Sequence, residues 1–387
     1  MARRAISEHD QVYAAYLYAH QGKTQAEIAA ELKVSPAVIS RVLDRVRGAY
    51  YEESRKFLKG NVSSELQAEL ENRLLANKVG KALNRLSEFA LGRPGPTVRV
   101  FRVGAEPERE GEPESSPTSL EKFTRMAAPS VWELLSRARL CGVTWGGTLA
   151  TLVRTSKTLA TRPSSLTEFI PLAGEPLGFA ATASSSSILA DELQQLFRDD
   201  KSHARSLTML PALIPSEFSR DERRVIEKLI GRLTDYRIIF LGGPKGEEPL
   251  ADDVDGIITS VGPNPLGFVG GSLLDEKERP FFVGDLGGIL LPKNQVGPAK
   301  VAELKAFMDD FEERWKGLRQ KHVRKCAERA AAKDAKPSQI GVVVVCMGAS
   351  RAAAIFECVK NGLVSHLFID ESLEKALENE CESRSKL

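Results

Sequence analysis

The sequence predicts an α/β protein in which an N-terminal helix-turn-helix domain precedes a doubly wound, mainly parallel β-sheet. Near the N-terminus, residues 24–47 (TQAEIAAELKVSPAVISRVLDRVR) contain two short helical patterns separated by a tight turn. From about residue 120 onward, short apolar runs that end in glycine, such as YRIIFLGG at 236–243 and PFFVGDLGG at 280–288, are predicted strands and alternate with helical stretches. Continuous apolar strands separated by helices are typical of a parallel sheet covered on both faces. The 387 residues are enough for two or three domains with a substantial core.

Each helical pattern in residues 24–47 presents one apolar face. The apolar positions follow spacings of three and four residues: Ile28, Leu32, Ile39, Val42 and Val46. The short turn between the patterns is typical of a helix-turn-helix unit. We expect Ser35 to cap the second helix with its hydroxyl group, and Pro36 to occupy the first helical position, where a missing N–H costs nothing. Glycine is usual at the position of Lys33, so a left-handed backbone there would cost about 1 kcal/mol.

The outward side chains of this unit suit contact with DNA. Small residues near the start of the second helix let it enter the major groove, where Arg41 can reach a guanine edge or a phosphate. Gln25 begins the first helix and is placed to bond a backbone phosphate. The predicted DNA-binding residues are Gln25, Ser35, Pro36, Ala37, Ser40, Arg41 and Arg45. The alternative is a three-helix bundle that contacts another protein.

Composition and charge restrict the function further. Ten basic and seven acidic residues give residues 1–60 a net charge of +3, whereas the whole chain carries +2, so any affinity for nucleic acid is local. The five cysteines never occur at Cys-x-x-Cys spacing, which fits a reducing cytoplasm and argues against zinc ribbons or a disulfide scaffold. No signal peptide and no run as long as a membrane span is visible. We therefore expect a cytoplasmic protein that uses no metal, cofactor or membrane.

We divide the chain into three parts. Residues 1–58 form the helix-turn-helix domain, residues 59–119 a helical linker or oligomerisation segment, and residues 120–387 the α/β domain. The second part ends in an acidic stretch, 104–119 (GAEPEREGEPESSPTS), which has too few apolar residues to be buried and is predicted to be a disordered loop. An apolar stripe precedes this loop, formed by Leu66, Leu70, Leu74, Leu75 and Val79. The stripe suits either a partner helix across a dimer or the core of the chain itself.

The end of one predicted strand, CGVTWGGTLA at 141–150, is a candidate anion site. Gly146 and Gly147 let backbone N–H groups turn inward, Thr148 adds a hydroxyl group, and the next helix presents its positive end. Arg351 lies in the first turn of another helix that follows a strand; a cation there opposes the helix dipole and suggests an anionic ligand, or else a surface arginine. Asp285 also ends a strand and suits either sugar hydroxyl groups or a turn.

The order of these segments resembles the SorC family of bacterial transcriptional regulators, also called the DeoR-type sugar-binding regulators. Residues 16–47 look like the DNA-binding element of the family. CGVTWGGTL looks like its strand–Gly–Thr loop, FIPLAGE its V-P-L-x-G-G strand and MLPALI its L-P-A-P strand. PFFVGDLGG is similar to its A-V-G-D-I-x-G motif, and VCMGASRAAAIFECVKNGLVSHLFIDE to its C-terminal signature ending in T-D-E. The resemblance covers most of the chain.

The resemblance implies a repressor or activator whose affinity for a double-stranded DNA operator is set by a sugar or sugar phosphate. It also implies an effector domain similar to sugar-phosphate isomerases, and a homodimer or homotetramer. Carried over to this chain, Gly146, Gly147 and Thr148 would hold phosphate and Asp285 would contact the sugar. Arg351 stands where the family usually has lysine.

The alternative function is a sugar-phosphate isomerase that carries a DNA-binding domain. Such an enzyme needs a general base close to the C–H bond that it breaks. The five histidines form no visible constellation, and Glu175, which replaces the second glycine of the V-P-L-x-G-G strand, is the one carboxylate that we would test as a base. We therefore expect no catalytic residues.

Overall fold

The computed structural model describes the chain in a series of segments and divides it into two units, Met1–Ala76 and Asn77–Leu387. The described residues are 6–19, 23–52, 78–101, 103, 117–157, 165–174, 185–197, 207, 213–243, 246–268, 271–272, 274, 278–293 and 297–384. The predicted leucine stripe before Val79, nearly all of the acidic stretch and Glu175 lie outside these residues. Val79 itself is fully buried in the core of the second unit, and residues 117–119 belong to a helix.

The described residues of the first unit form three helices, α1 (Glu8–Ala19), α2 (Gln25–Leu32) and α3 (Pro36–Val46). The apolar faces predicted from the sequence meet in one small core, in which Val12, Ile28 and Ile39 are fully buried. After α3, the Tyr51 hydroxyl group donates to the carbonyl oxygen of Leu43 at 2.8 Å. The helix-turn-helix prediction is therefore confirmed as a fold.

The capping of these helices differs from the prediction. The Ser35 side chain makes no capping hydrogen bond to α3. Its carbonyl oxygen instead accepts the N–H of Val38 at 2.9 Å, so the amide that the hydroxyl group would cap is already bonded. A reciprocal capping box is found at α2, where Thr24 Oγ1 accepts the Glu27 N–H and Glu27 Oε2 accepts the Thr24 N–H. Lys33 ends α2 in the left-handed region, with φ of 55°.

The second unit is built around a parallel sheet. Its strands are β1 (Thr97–Phe101), β2 (Leu140–Val143), β3 (Glu168–Pro171), β4 (Gly256–Thr259), β10 (Gly341–Val345) and β11 (His366–Asp370). They are arranged in the order β1-β11-β10-β4-β2-β3. Alternate residues of β10 belong to two separate cores, Val342 and Val344 to one and Val343 and Val345 to the other. Both faces of the sheet are therefore buried, as the doubly wound prediction requires.

Helices cover the two faces of this sheet and fill the connections. They are α4 (Lys78–Leu91), α5 (Pro117–Leu135), α6 (Gly147–Ser156), α7 (Ser186–Phe197), α8 (Arg220–Ile230), α9 (Thr234–Tyr236), α10 (Leu250–Asp253), α11 (Pro298–Arg314), α12 (Gln320–Ala331), α13 (Ala352–Lys360) and α14 (Glu371–Arg384). Short strands complete the unit: β5 (Val261–Gly262), β6 (Gly267–Phe268), β7 (Gly271–Ser272), β8 (Phe282–Leu286) and β9 (Ile289–Pro292). Among the helices described, none is both long and apolar enough to cross a membrane.

Three features of this unit differ from the prediction. The α/β part begins before residue 120, because β1 pairs with β11 and α4 packs on α13 and α14. Residues 237–241, predicted as a strand, form a π-helix, since a short apolar run fits either structure. PFFVGDLGG forms β8 of an antiparallel sheet with order β5-β8-β9, because Gly287 and Gly288 have positive φ and turn the chain into a hairpin.

Candidate functional site

A cavity of about 550 Å³ opens at the carboxyl ends of the parallel strands in the second unit. Residues that directly follow β2, β4 and β10 line it, which is where open α/β sheets bind ligands. All five predicted effector-site residues line this one cavity: Gly146, Gly147, Thr148, Asp285 and Arg351. The structure therefore brings the predicted residues together, and their role in binding stays a prediction.

The N-terminus of α6 supplies backbone donors to the cavity. Gly146 precedes the helix with φ of 146°, a conformation that other residues rarely adopt. It has no side chain with which to cap the helix, so the first amides of α6 are left for a bound group or water. A Cβ atom at Gly147 would meet no atom within 4 Å, which shows open space beside this amide. The Thr148 side chain is buried at the same helix end. An anion is favoured here by the helix dipole and by these donors together.

Arg351 approaches the cavity from the short 3₁₀ turn Ala349–Arg351 that follows β10. Its Nε atom donates to the carbonyl oxygen of Val261 at 3.1 Å. The start of this turn is also bonded to the end of β11, because the Gly348 N–H donates to Asp370 Oδ1 at 2.9 Å. Within the described part of the chain, the terminal guanidinium nitrogens of Arg351 have no hydrogen-bond partner. This arginine is therefore oriented by the backbone and available to an anion.

Asp285 is buried in the wall of the cavity with 6% of its surface exposed. Its Oδ2 atom accepts the Leu266 N–H at 2.9 Å, and its Oδ1 atom accepts the Gly288 N–H at 3.0 Å. Burial raises the pKa of this carboxyl group to about 6, against the effect of the two backbone hydrogen bonds. The carboxylate thus connects two loops of the cavity by hydrogen bonds to their backbone. This is the turn-forming role that the sequence allowed as the alternative to contact with a sugar. Each oxygen keeps a further lone pair that can accept a ligand hydroxyl group.

Several residues of the cavity were missed from the sequence. Arg279 lines it from a 3₁₀ turn before β8, and Ser260 and Asn264 add polar groups after β4. No motif marks Arg279, and only its position shortly before the strand that carries Asp285 could have indicated it. Trp145 forms part of the apolar wall and packs edge-to-face on Trp315, with ring centroids 5.7 Å apart.

The predicted DNA-binding residues lie on the surface of the first unit. Gln25, Ser35, Pro36, Ala37, Arg41 and Arg45 are exposed, and Ser40 is partly exposed. The Arg41 Nε atom donates to the carbonyl oxygen of Ala37 at 3.1 Å, which holds the guanidinium group against α3. The neighbouring Asp44 pairs with Arg47 at 3.3 Å, so it does not neutralise Arg41. Contact of these side chains with DNA stays a prediction.

The described histidines of the second unit have structural roles. His322 Nδ1 accepts the N–H of Arg319 at 3.1 Å, and His366 Nδ1 lies 2.6 Å from the Thr97 hydroxyl group. Burial lowers the pKa of both imidazole groups to about 4, so they are neutral at pH 7. Neither residue lines the cavity. Among the residues that the structure describes, no group of three or more His, Cys, Asp or Glu side chains could hold a metal ion.

Comparison with solved structures identifies proteins of the same fold. The chain is similar to the crystal structure of the full-length sorbitol operon regulator SorC from Klebsiella pneumoniae, with a TM-score of 0.51, 17% identity and coverage of 95% of this chain and 98% of that chain. It is also similar to a domain of a possible sugar-binding transcriptional regulator from Arthrobacter aurescens TC1, with a TM-score of 0.51, 18% identity and coverage of 77% of this chain and 97% of that chain. No family model and no curated protein matches the sequence.

Proposed function

Because the chain shares its fold with a full-length SorC regulator over nearly its whole length, we propose that it is a DNA-binding transcriptional regulator controlled by a sugar or sugar phosphate. The observation that carries the proposal is the coverage of 95% of this chain and 98% of that one, which includes both the helix-turn-helix unit and the α/β unit. The protein is a regulator and not an enzyme in this proposal, and it represses or activates by binding a double-stranded operator.

Support for the DNA-binding part comes from the surface of α3. The outward surface of this helix carries the small residues Ala37 and Ser40 together with the exposed arginines Arg41 and Arg45. Small residues allow close approach to base edges, and arginine can form two hydrogen bonds to one guanine or one phosphate. A helix of this composition on a three-helix core is suited to the major groove.

Support for the effector part comes from the cavity of the second unit. It combines the N-terminus of α6, the oriented guanidinium of Arg351 and the lone pairs of Asp285. The first two stabilise an anion, and the third accepts hydroxyl hydrogen bonds, which together suit a phosphorylated sugar. A volume of about 550 Å³ lies within the range of small-molecule sites.

Effector binding would alter DNA affinity through a homodimer or homotetramer. Paired recognition helices must match half-sites about one helical turn apart, so a small change in their separation weakens binding. The effector must bind the two arrangements of subunits with different affinities, since equal affinities would leave the equilibrium between the arrangements unchanged.

Selection of operator sequences by the full-length protein tests the proposal directly. Random double-stranded DNA is enriched on the protein, and the affinity for the selected sequence is measured as a function of salt. We expect Arg41→Ala to weaken binding by roughly 1–3 kcal/mol, whereas Arg232→Ala, a matched change on the exposed surface of the second unit, leaves it unchanged. Absence of any salt-dependent DNA binding would refute the proposal and favour a unit that contacts another protein.

A panel of sugars and sugar phosphates then tests the effector. A bound effector raises the melting temperature of the protein, and this stabilisation should be lost in Arg351→Ala and Thr148→Ala. The same panel addresses the isomerase alternative, for which the raised pKa of Asp285 is the one favourable observation. Conversion of a sugar phosphate to its isomer, followed by NMR and abolished in Asp285→Asn, would establish an enzyme.

A further inference from the structure

Arg279 lies at the wall of the cavity and is anchored there by a hydrogen bond to the backbone. It begins the 3₁₀ turn Arg279–Phe281, which leads directly into β8. Its Nε atom donates to the carbonyl oxygen of Leu274 at 3.1 Å. Leu274 and Phe281 are both buried in the apolar cluster that contains Trp145. The guanidinium is therefore fixed at its inner end, although the side chain as a whole is exposed to solvent.

The two arginines of the cavity are anchored in the same manner. Each uses Nε to bond a backbone carbonyl oxygen, of Leu274 for Arg279 and of Val261 for Arg351. Among the residues that the structure describes, neither guanidinium lies within 4.0 Å of a carboxylate, and the terminal nitrogens of both have no hydrogen-bond partner. Two forked donor groups thus remain in one cavity, and each fork matches the geometry of a phosphate or carboxylate.

Other pairs in the molecule show how arginine is neutralised when its role is structural. Arg223 and Arg314 share Asp310, with nitrogen–oxygen distances of 2.7 Å in both cases. Among the described residues that line the cavity, the acidic one is Asp285, whose two oxygens already accept the N–H groups of Leu266 and Gly288. The cavity therefore offers more positive charge than one anionic group requires, since Arg351 and the N-terminus of α6 bind one anion in the proposed function.

We propose that Arg279 forms a second anion-binding position, separate from that of Arg351, and that the effector therefore carries two anionic groups. The inference rests on the proposed function, because it takes this cavity as the effector site. Arg279 comes from the segment before β8 and Arg351 from the turn after β10, so the two side chains enter the cavity from different elements, and in this proposal each binds a different anionic group of the ligand. The ligand class is a sugar or related polyol with phosphate or carboxylate groups at two positions.

Isothermal titration calorimetry of the full-length protein tests this inference with three probes: inorganic phosphate, a hexose 6-phosphate and the corresponding hexose 1,6-bisphosphate. We expect the bisphosphate to bind at least about tenfold more tightly than the monophosphate. Arg279→Gln should reduce the affinity for the bisphosphate by about tenfold and leave that for the monophosphate unchanged. Arg351→Gln should weaken the binding of both. Arg232→Gln, which removes the same charge outside the cavity, should alter neither.

Three results would overturn the inference. Equal affinities for the monophosphate and the bisphosphate would show that a second anionic group adds nothing to the free energy of binding. An equal loss of both affinities in Arg279→Gln would show that the two arginines bind the same anion. Absence of measurable binding by all three probes would show that the guanidinium groups do not retain phosphate. Each outcome is distinct from failure of the proposed function, which is decided by the operator selection without any effector.

Discussion

Replacing Asp285 with asparagine should remove a pH dependence of folding stability that the buried carboxyl group creates. Burial raises its pKa from an ordinary value of 3.8 to about 6. At this carboxyl group the folded protein therefore binds more protons than the unfolded chain between these two pH values, so the contribution of Asp285 to stability falls as pH rises from about 4 to about 6 and changes no further above that. A difference of about two pKa units corresponds to roughly 3 kcal/mol of unfolding free energy.

The asparagine variant separates this charge effect from the hydrogen bonds. Both Asp285 oxygens accept backbone N–H groups, so an amide nitrogen in place of one oxygen faces a donor and costs about 1–3 kcal/mol at every pH. The difference in stability between wild type and Asp285→Asn should therefore fall by roughly 2 kcal/mol from pH 4 to pH 7, which is most of the full effect.

Denaturant unfolding at a series of pH values, followed by far-UV circular dichroism, measures this difference. Asp309→Asn is the matched control, because Asp309 is an exposed carboxylate on α11 and lies outside the cavity. A difference between wild type and Asp285→Asn that stays constant from pH 4 to pH 7 would refute the reasoning, since it would mean that folding does not change the titration of Asp285.

Three further changes test local features of the fold. Thr24→Ala should destabilise the first unit by about 1 kcal/mol in a thermal melt, because it removes the hydroxyl group that accepts the Glu27 N–H and donates to Glu27 Oε2; an unchanged melting temperature would contradict this. Lys33→Gly should raise the stability of that unit by up to about 1 kcal/mol, because glycine adopts the left-handed conformation without strain. Asp370→Ala should weaken phosphate binding in calorimetry, since it frees the Gly348 N–H and the turn that orients Arg351; unchanged affinity would show that the turn is held by other contacts.

The elements predicted correctly are those in which a local pattern and the final packing agree. The helices α2 and α3 follow from apolar spacing alone, and β2, β10 and β11 are apolar runs that end up buried. The strand β1 was missed because it lies at the edge of the sheet, where alternate residues such as Arg99 are only partly buried and the apolar pattern is weak. Residues 237–241 were mistaken for a strand because a five-residue apolar run has no distinctive period.

The candidate site shows a similar division. Gly146, Gly147 and Arg351 could be predicted because each lies where a strand gives way to a helix, a position that sequence patterns reveal. Arg279 could not be predicted, because it does not follow a strand of the parallel sheet. Its place in the cavity depends instead on the tertiary packing of Leu274 and Phe281, which no local sequence pattern reveals. The role of Asp285 in tying two loops together likewise depends on its contact with Leu266, which no local pattern encodes.

The contact between Trp145 and Trp315 gives the protein a built-in optical reporter. Trp145 lines the cavity, and its ring lies 5.7 Å from that of Trp315, so a ligand entering the cavity changes the surroundings of one indole and its coupling to the other. The third tryptophan, Trp132, is buried in a different core with its indole N–H bonded to Ser156. Fluorescence emission of the unlabelled chain should therefore respond to occupancy of the cavity, and a Trp145→Phe variant should lose that response while Trp132 provides an internal reference.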